Sequence, residues 1–342
     1  MKTSKPPINN KHRQWLWLLS MLLLLGVFLS LSLGRYSNDP IKVLNVLLSK
    51  LGMNVPVDPS MVNIVFNVRL PRVLASVLIG AMLSLSGAVY QSVFRNPLVS
   101  PDLLGVSSGA AVGASTAILI GAGLATRQIF AFAGGILAVF VTSLVPRLLR
   151  NRSNMMLVLS GIIVGGFLSS VLAIMKFVAE EQTQLASIVY WQLGSLASVL
   201  GRELLAILPV FLVCATLLLS LSWRINILSF GDLEARTLGV NLRQVRMIVI
   251  ICASLLTASA VSISGTIGWV GLVIPHLSRL LSGSDNTRSM PMTILIGAIF
   301  MLLIDTLART VTTVEIPLSI LTGLVGAPLY AMLLYKQRTR LE

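Results

Sequence analysis

The sequence predicts an all-α, polytopic membrane protein: one bundle of about ten transmembrane helices with no separate soluble domain. Three observations carry that expectation. The residues are 55% hydrophobic and only 11% charged, against about 25% charged in a soluble domain. The apolar runs are continuous, and several reach the roughly 20 residues a helix needs to cross a bilayer. A β-barrel would show alternation instead. Finally, the basic residues fall mostly on one side when the runs alternate across a membrane.

Each element follows in order. Met1–Arg13 is a polar, basic tail, and Trp15–Leu33 is the first span. Its apolar run is longer than the roughly 7–15 residues of a signal-peptide core and meets Gly34-Arg35 without a small-residue cleavage site, so it reads as an uncleaved helix. Tyr36–Asn67 is a mixed segment broken by Pro40, Pro56 and Pro59. Arg69-Leu-Pro-Arg72 opens a second span running to about Val93. Arg95–Pro101 is a turn whose two prolines bias the residues before them away from helix. The third span, Leu103–Gly121, is rich in Gly, Ala and Ser, residues that let membrane helices approach closely. Arg127–Leu148 and Met155–Val178 are the fourth and fifth, separated by polar Arg150–Asn154. Glu180–Arg202 is a more polar connection, and Glu203–Leu221 is the sixth span. The polar stretch Trp223–Arg246 then interrupts the apolar runs, before a seventh span at Met247–Ile263. Ser264–Gly268 is a glycine-punctuated break. Trp269–Leu281, with Pro275 inside it, reads as a half-helix or a broken helix. Pro291–Leu307 and Leu318–Tyr335 are the ninth and tenth spans, and 336–342 is a polar tail.

Net charge is +14. In a soluble protein that balance would point to nucleic acid. With the N-terminus in the cytoplasm and ten alternating spans, seventeen of the 26 Lys and Arg residues lie on the cytoplasmic side and nine outside. That is the positive-inside bias, and it accounts for most of the charge without a nucleic-acid partner. Both termini and the Trp223–Arg246 stretch are then cytoplasmic, in a multi-pass protein.

Candidate chemistry is sparse. Cys214 and Cys252 lie inside apolar runs and read as core residues; His12 and His276 are far apart, so no metal or haem signature is visible. His276 has no acidic neighbour in sequence and reads as a helix-packing or hydrogen-bonding residue, so no catalytic residue is assigned. No G-x-x-x-x-G-K-[ST] motif occurs, so ATP, if it drives this protein, binds another polypeptide. Ionisable residues are few within the spans, which counts against a stand-alone secondary carrier, the alternative from another class. Asp305 and Arg309 are four residues apart on one helix face and can pair. In the middle stretch, Asp232 can cap a short helix with Glu234 in its first turn and Gly239 at its end. Asp232, Glu234 and Arg236 alternate in sign, while Leu233 and Leu238 supply apolar anchors, so the stretch reads either as one or two short amphipathic helices on the membrane face or as an ordinary polar loop. Arg69, Arg72 and Arg309 fall on the outer face. They read either as interfacial arginines that snorkel or as a cationic dock for carboxylates of an external partner.

Several motifs occur in one order along the chain. They are Arg69-Leu-Pro-Arg72 with Gly80-Ala81, Gly87 and Gln91; Arg95-Asn-Pro-Leu98 with Pro101-Asp-Leu-Leu-Gly105-Val-Ser-Ser-Gly109-Ala; Trp191-x-x-Gly194-Ser195-Leu196; Gly231-Asp-Leu-Glu-Ala-Arg-Thr-Leu-Gly239; Gly271-Leu-Val-Ile-Pro-His276-x-x-Arg279; Asp305-x-x-Ala-Arg309; Glu315-Ile-Pro317; and Gly326-Ala-Pro328. Together they resemble the FecCD-type permeases of bacterial ABC importers, the family that includes the vitamin B12 importer permease. The resemblance implies a ten-helix subunit in the bacterial inner membrane, paired with a second permease subunit as a homodimer or a paralogous heterodimer. It implies two cytoplasmic ATPase subunits that bind the ATP and Mg, a periplasmic or lipid-anchored binding protein, and no cofactor on this chain. The substrate it implies is an iron chelate, a ferric siderophore first, with haem, cobalamin or an oxyanion as alternatives. It assigns Gly231, Asp232, Leu233, Glu234, Ala235, Arg236, Leu238 and Gly239 to the ATPase coupling segment. It assigns Arg69, Arg72 and Arg309 to binding-protein docking, and Asn96, Leu98, Asn154 and Met155 to the cytoplasmic gate.

Overall fold

The computed structural model describes residues 10–34, 39–151, 153–230 and 241–338. The chain runs through α1 (Asn10–Ser32), the short α2 (Pro40–Lys50) and α3 (Pro59–Asn63), and then α4 (Leu70–Val93), α5 (Val106–Leu119), α6 (Leu124–Leu148) and α7 (Asn154–Val178). It continues through a short α8 (Ala186–Leu193), α9 (Gly201–Ser220), α10 (Ser222–Phe230), α11 (Leu242–Ser264), α12 (Val270–Ser282), α13 (Asn286–Thr310) and α14 (Leu318–Arg338). Among the described residues eight helices are long and apolar enough to cross a membrane, and α5 and α12 are shorter apolar helices. The expected count of about ten crossings holds, with two of them shortened.

Helix α4 is the centre. In its apolar window 89% of residues are buried, against 22% in α1 and α7. Apolar faces gain nothing by leaving lipid for one another, so close backbone contact must supply the packing. Small residues make that contact possible. A Cβ at Gly87 of α4 would overlap the backbone carbonyl of Gly271 in α12, and one at Gly109 of α5 would overlap that of Gly134 in α6. Around α4 stand α13, α11 and α12. A wide π turn over Ile64–Arg69 joins α3 to α4. Pro71 lacks the N–H that would bond residue 67, and the wider turn accommodates that gap.

Ladder ends show which ends of the helices lie together. At one end, Arg309 of α13 donates to the Leu33 carbonyl after α1 (2.8 Å), and Arg72 of α4 reaches Asp305 of α13 (2.9 Å). At the other, the Asn154 side chain of α7 donates to the Val93 carbonyl of α4 (3.1 Å), and Asn226 of α10 donates to Asp285, just before α13 (2.6 Å). These are called the Arg72 end and the α10 end below.

Two short crossings leave irregular backbone inside the bundle. A 3-10 turn at Pro101–Leu104 and left-handed Gly105 (φ 77°) precede α5. Residues 265–269 connect α11 to α12, with φ of 72° at Gly265 and 70° at Trp269. For a bulky residue that backbone is strained. Non-helical backbone at this depth needs internal partners. It has them: Ser195 N–H donates to the Ser264 carbonyl (2.9 Å), Leu318 N–H to the Gly194 carbonyl (3.0 Å), and the Thr266 hydroxyl to the Gln192 carbonyl. The sequence reading of a broken helix at Ser264–Gly268 is what the backbone does. The helices α2, α3 and α8 lie in the segments read from sequence only as mixed or polar connections.

Candidate functional site

The two irregular segments border an open cavity of ≈ 410 Å³, whose wall is completed by α4, α5, α7, α8, α11 and α12. Its wall includes Ser100, Asp102, Ser107, Gln192, Thr266 and Trp269. No lysine, arginine or histidine is among the described residues lining it. Asp102 is held by the start of α5, accepting from Ser107 N–H (2.8 Å). Its carboxylate therefore already sits at the positive end of that helix. Trp269 is 38% exposed and is packed against Gly326 of α14. A sequence pass misses Asp102 as a wall residue, because the glycine turn that folds it back acts only in three dimensions. No group of His, Cys, Asp or Glu that could hold a metal ion occurs among the described residues.

At the Arg72 end the three arginines expected for docking meet one another's neighbours. Arg69 is 5% exposed and donates to the Leu31 and Ser32 carbonyls (2.7 and 3.2 Å). Arg72 bridges Asp305 (2.9 Å) and Glu315 (2.8 Å). Arg309 bonds the Ser30 carbonyl and hydroxyl and lies 3.6 Å from Asp305. The Asp305–Arg309 pair expected from their spacing is present. Each arginine thus already has acceptors within the chain, and they tie the ends of α1, α4 and α13 together. Glu315 was visible only as part of a motif. Its partner Arg72 is 243 residues away, beyond any local pattern.

At the α10 end, Asn96 is exposed and accepts from Leu98 N–H (2.9 Å), which closes the turn after α4. Leu98 is 60% exposed and Met155 82%. Asn154 bonds the last turn of α4, so this turn and the start of α7 lie together. The coupling residues Gly231, Asp232, Leu233, Glu234, Ala235, Arg236, Leu238 and Gly239 lie outside the described residues. The helix leading into them, α10, is anchored. Asn226 donates to Asp285 and accepts from Asn286 N–H (2.8 Å), and the Asn286 side chain accepts from Ser92 of α4 (2.9 Å). Burial pushes the Asp285 carboxyl up. Hydrogen bonds from Thr287 N–H, Asn226 and the Thr287 hydroxyl, with the charge of Arg288, outweigh that and hold it below the ordinary carboxylate range.

His276 is buried and packs edge-on against Tyr330, 5.7 Å between ring centres, as a packing residue would. Cys214 and Cys252 are buried free thiols.

A helical bundle of this kind has known counterparts. Residues 22–336 match the FecCD transport family. The chain belongs to that family. A FecCD protein at 43% identity is the molybdate import system permease of Haemophilus influenzae, aligned over 93% of this chain and 94% of the relative. A Helicobacter pylori protein named for iron chelatin transport is also 43% identical, over 80% and 83%. A solved structure, an inward-facing conformation of an ABC transporter assigned to the metal-chelate type, superposes with TM-score 0.85 at 42% identity, covering 95% of this chain and 99% of that one. This FecCD chain is accordingly an ABC importer permease, an integral protein of the inner membrane.

Proposed function

We propose that this FecCD permease carries a neutral or cationic metal chelate, a ferric siderophore in the first instance, into the cytoplasm. The cavity's chemistry carries the reading. An oxyanion entering it would meet Asp102 and hydroxyl groups, with no cation on the described wall. Like charges in a confined site repel by several kcal/mol. Of the two helix starts on the wall, that of α5 already holds the Asp102 carboxylate. A molybdate reading has two observations in its favour: the 43% identity to a molybdate permease, and the α12 start on the wall, whose first turn holds no acidic residue.

In the proposed assembly the Arg72 end faces outward and receives an external binding protein on a rim that Arg69, Arg72 and Arg309 brace. The α10 end faces the cytoplasm. Residues 231–239 seat in an ATPase subunit, which binds the ATP and Mg, and α10 passes its movement through Asn226 and Asn286 to α4. Asn96, Leu98, Asn154 and Met155 stand at the inner gate, and a second permease subunit completes the path. Uptake by Asp102→Asn and Asp102→Lys permeases tests the substrate reading. Wild type should take up a neutral ferric hydroxamate and leave molybdate outside, and Asp102→Lys should lose chelate uptake preferentially. Molybdate uptake by wild type that a ferric hydroxamate does not compete with would reverse the reading.

A further inference from the structure

A second and larger cavity shares no residue with the first and only Asn154 with the residues placed at the inner gate. It is a groove of ≈ 800 Å³ between α6 and α11 at the α10 end, with the start of α7 at its floor. Its upper walls are apolar, including Phe140, Leu144, Met247 and Ile251. Phe140 is 60% exposed and Ile251 50%. Its lower rim carries Arg147, Arg243 and Arg246.

These three cationic side chains gather on one rim of the groove. Arg243 and Arg246 lie in the first turns of α11, and no acidic residue stands in the first turn of α11 or of α7. Both helix starts present positive dipole ends to the same floor, where cations are disfavoured. The groove also reaches deep. Ile136 in its wall is about 18 Å from the Leu148 end of α6, by the helical rise of 1.5 Å per residue. Half the hydrocarbon core is only about 15 Å. An apolar channel at acyl-chain depth above a cluster of arginines at headgroup depth matches one ligand chemistry, an acyl chain joined to a phosphate. Basic pockets between membrane helices on the cytoplasmic side bind anionic headgroups in this way.

We infer that this groove is a binding site for an anionic phospholipid of the leaflet at the α10 end. Its phosphate sits among Arg147, Arg243 and Arg246, and an acyl chain runs along Phe140 and Ile251. A bound lipid there joins α6 and α11 beside the start of α7, so it stabilises the inner ends of three helices at once. The inference does not depend on which substrate the permease carries.

The test is native mass spectrometry of the purified full-length permease, with phosphatidylglycerol or phosphatidylcholine added in mild detergent. Wild type should retain phosphatidylglycerol in preference to phosphatidylcholine. Arg147→Gln with Arg243→Gln should weaken that retention about thirtyfold. Arg150→Gln, at the same end but outside the groove, should leave it unchanged. Phe140→Trp, which fills the apolar channel and keeps every charge, should also weaken retention. A folded double variant is recognised by an unchanged melting profile in lipid-free detergent. Equal retention of the two lipids, or retention indifferent to both groove variants, would overturn the site. So would cross-links from Phe140→Cys to a protein partner or to residues 231–240 in native membranes, since those would show the groove already filled by protein.

Discussion

Replacing Asp305 by alanine should be one of the most damaging single changes at the Arg72 end. The Asp305 side chain is 0% exposed, and the arginines beside it, Arg72 and Arg309, are 11% and 8% exposed. Water cannot replace the lost carboxylate for either. Removing one partner of a buried ion pair costs about 3–5 kcal/mol, chiefly because the remaining charge stays buried. Asp305 faces two arginines, which places the loss toward the upper part of that range. Arg309 keeps its bonds to the Ser30 and Leu33 carbonyls, and Arg72 keeps Glu315, so the bundle should weaken without losing its topology. The double replacement Arg72→Met with Asp305→Leu removes charge from both sides. It leaves Glu315, whose side chain is 26% exposed and can hydrate, and Arg309, which loses Asp305 but keeps the Ser30 and Leu33 acceptors. That variant should fall within about 1–2 kcal/mol of wild type. Equilibrium unfolding in mixed micelles of increasing SDS content measures both. A single variant costing under about 1 kcal/mol, or a double variant as damaging as the single, would refute the argument that buried, mutually dependent charges brace this end.

Gly87→Val should prevent the approach of α4 to α12, because even a Cβ there overlaps the Gly271 carbonyl; loss of monodisperse protein in size-exclusion chromatography is the readout, and normal behaviour would argue against that packing. Leu233→Asp with Leu238→Asp should leave an inserted, folded permease that no longer copurifies with its ATPase, since each charge would be buried unpaired at several kcal/mol. Retained ATPase and wild-type uptake would reduce that segment to a loop. Cysteines at exposed positions 54 and 284 report orientation: an impermeant thiol reagent applied outside should label 54 and spare 284, and the reverse pattern would invert the topology.

The spans were legible in the sequence because lipid imposes a one-dimensional rule, about 20 apolar residues per crossing. The Asp305–Arg309 pair was legible for the same kind of reason, being a spacing on one helix. The helices α2, α3 and α8 were not. They are short, two of them start at prolines (Pro40 and Pro59), and their residues are mixed in polarity. The bracing role of Arg72 was hidden because its acceptors lie 233 and 243 residues away. Reading Arg69, Arg72 and Arg309 as a dock rested on their sign, their expected side and the family resemblance, and the fold adds that each already has acceptors within the chain. The cavity wall was the least legible feature. Asp102, Gln192 and Thr266 come from three separate connections, and only the close glycine contacts of α4, α5 and α12 bring those connections together.

Uptake into proteoliposomes tests the central claim most directly. The permease is reconstituted with its ATPase inside and its binding protein outside, and radiolabelled ferric hydroxamate and molybdate are offered in parallel with and without internal ATP. The account predicts ATP-dependent accumulation of the iron chelate and none of molybdate. Accumulation of molybdate in its place, or chelate uptake that proceeds equally without ATP, would contradict it.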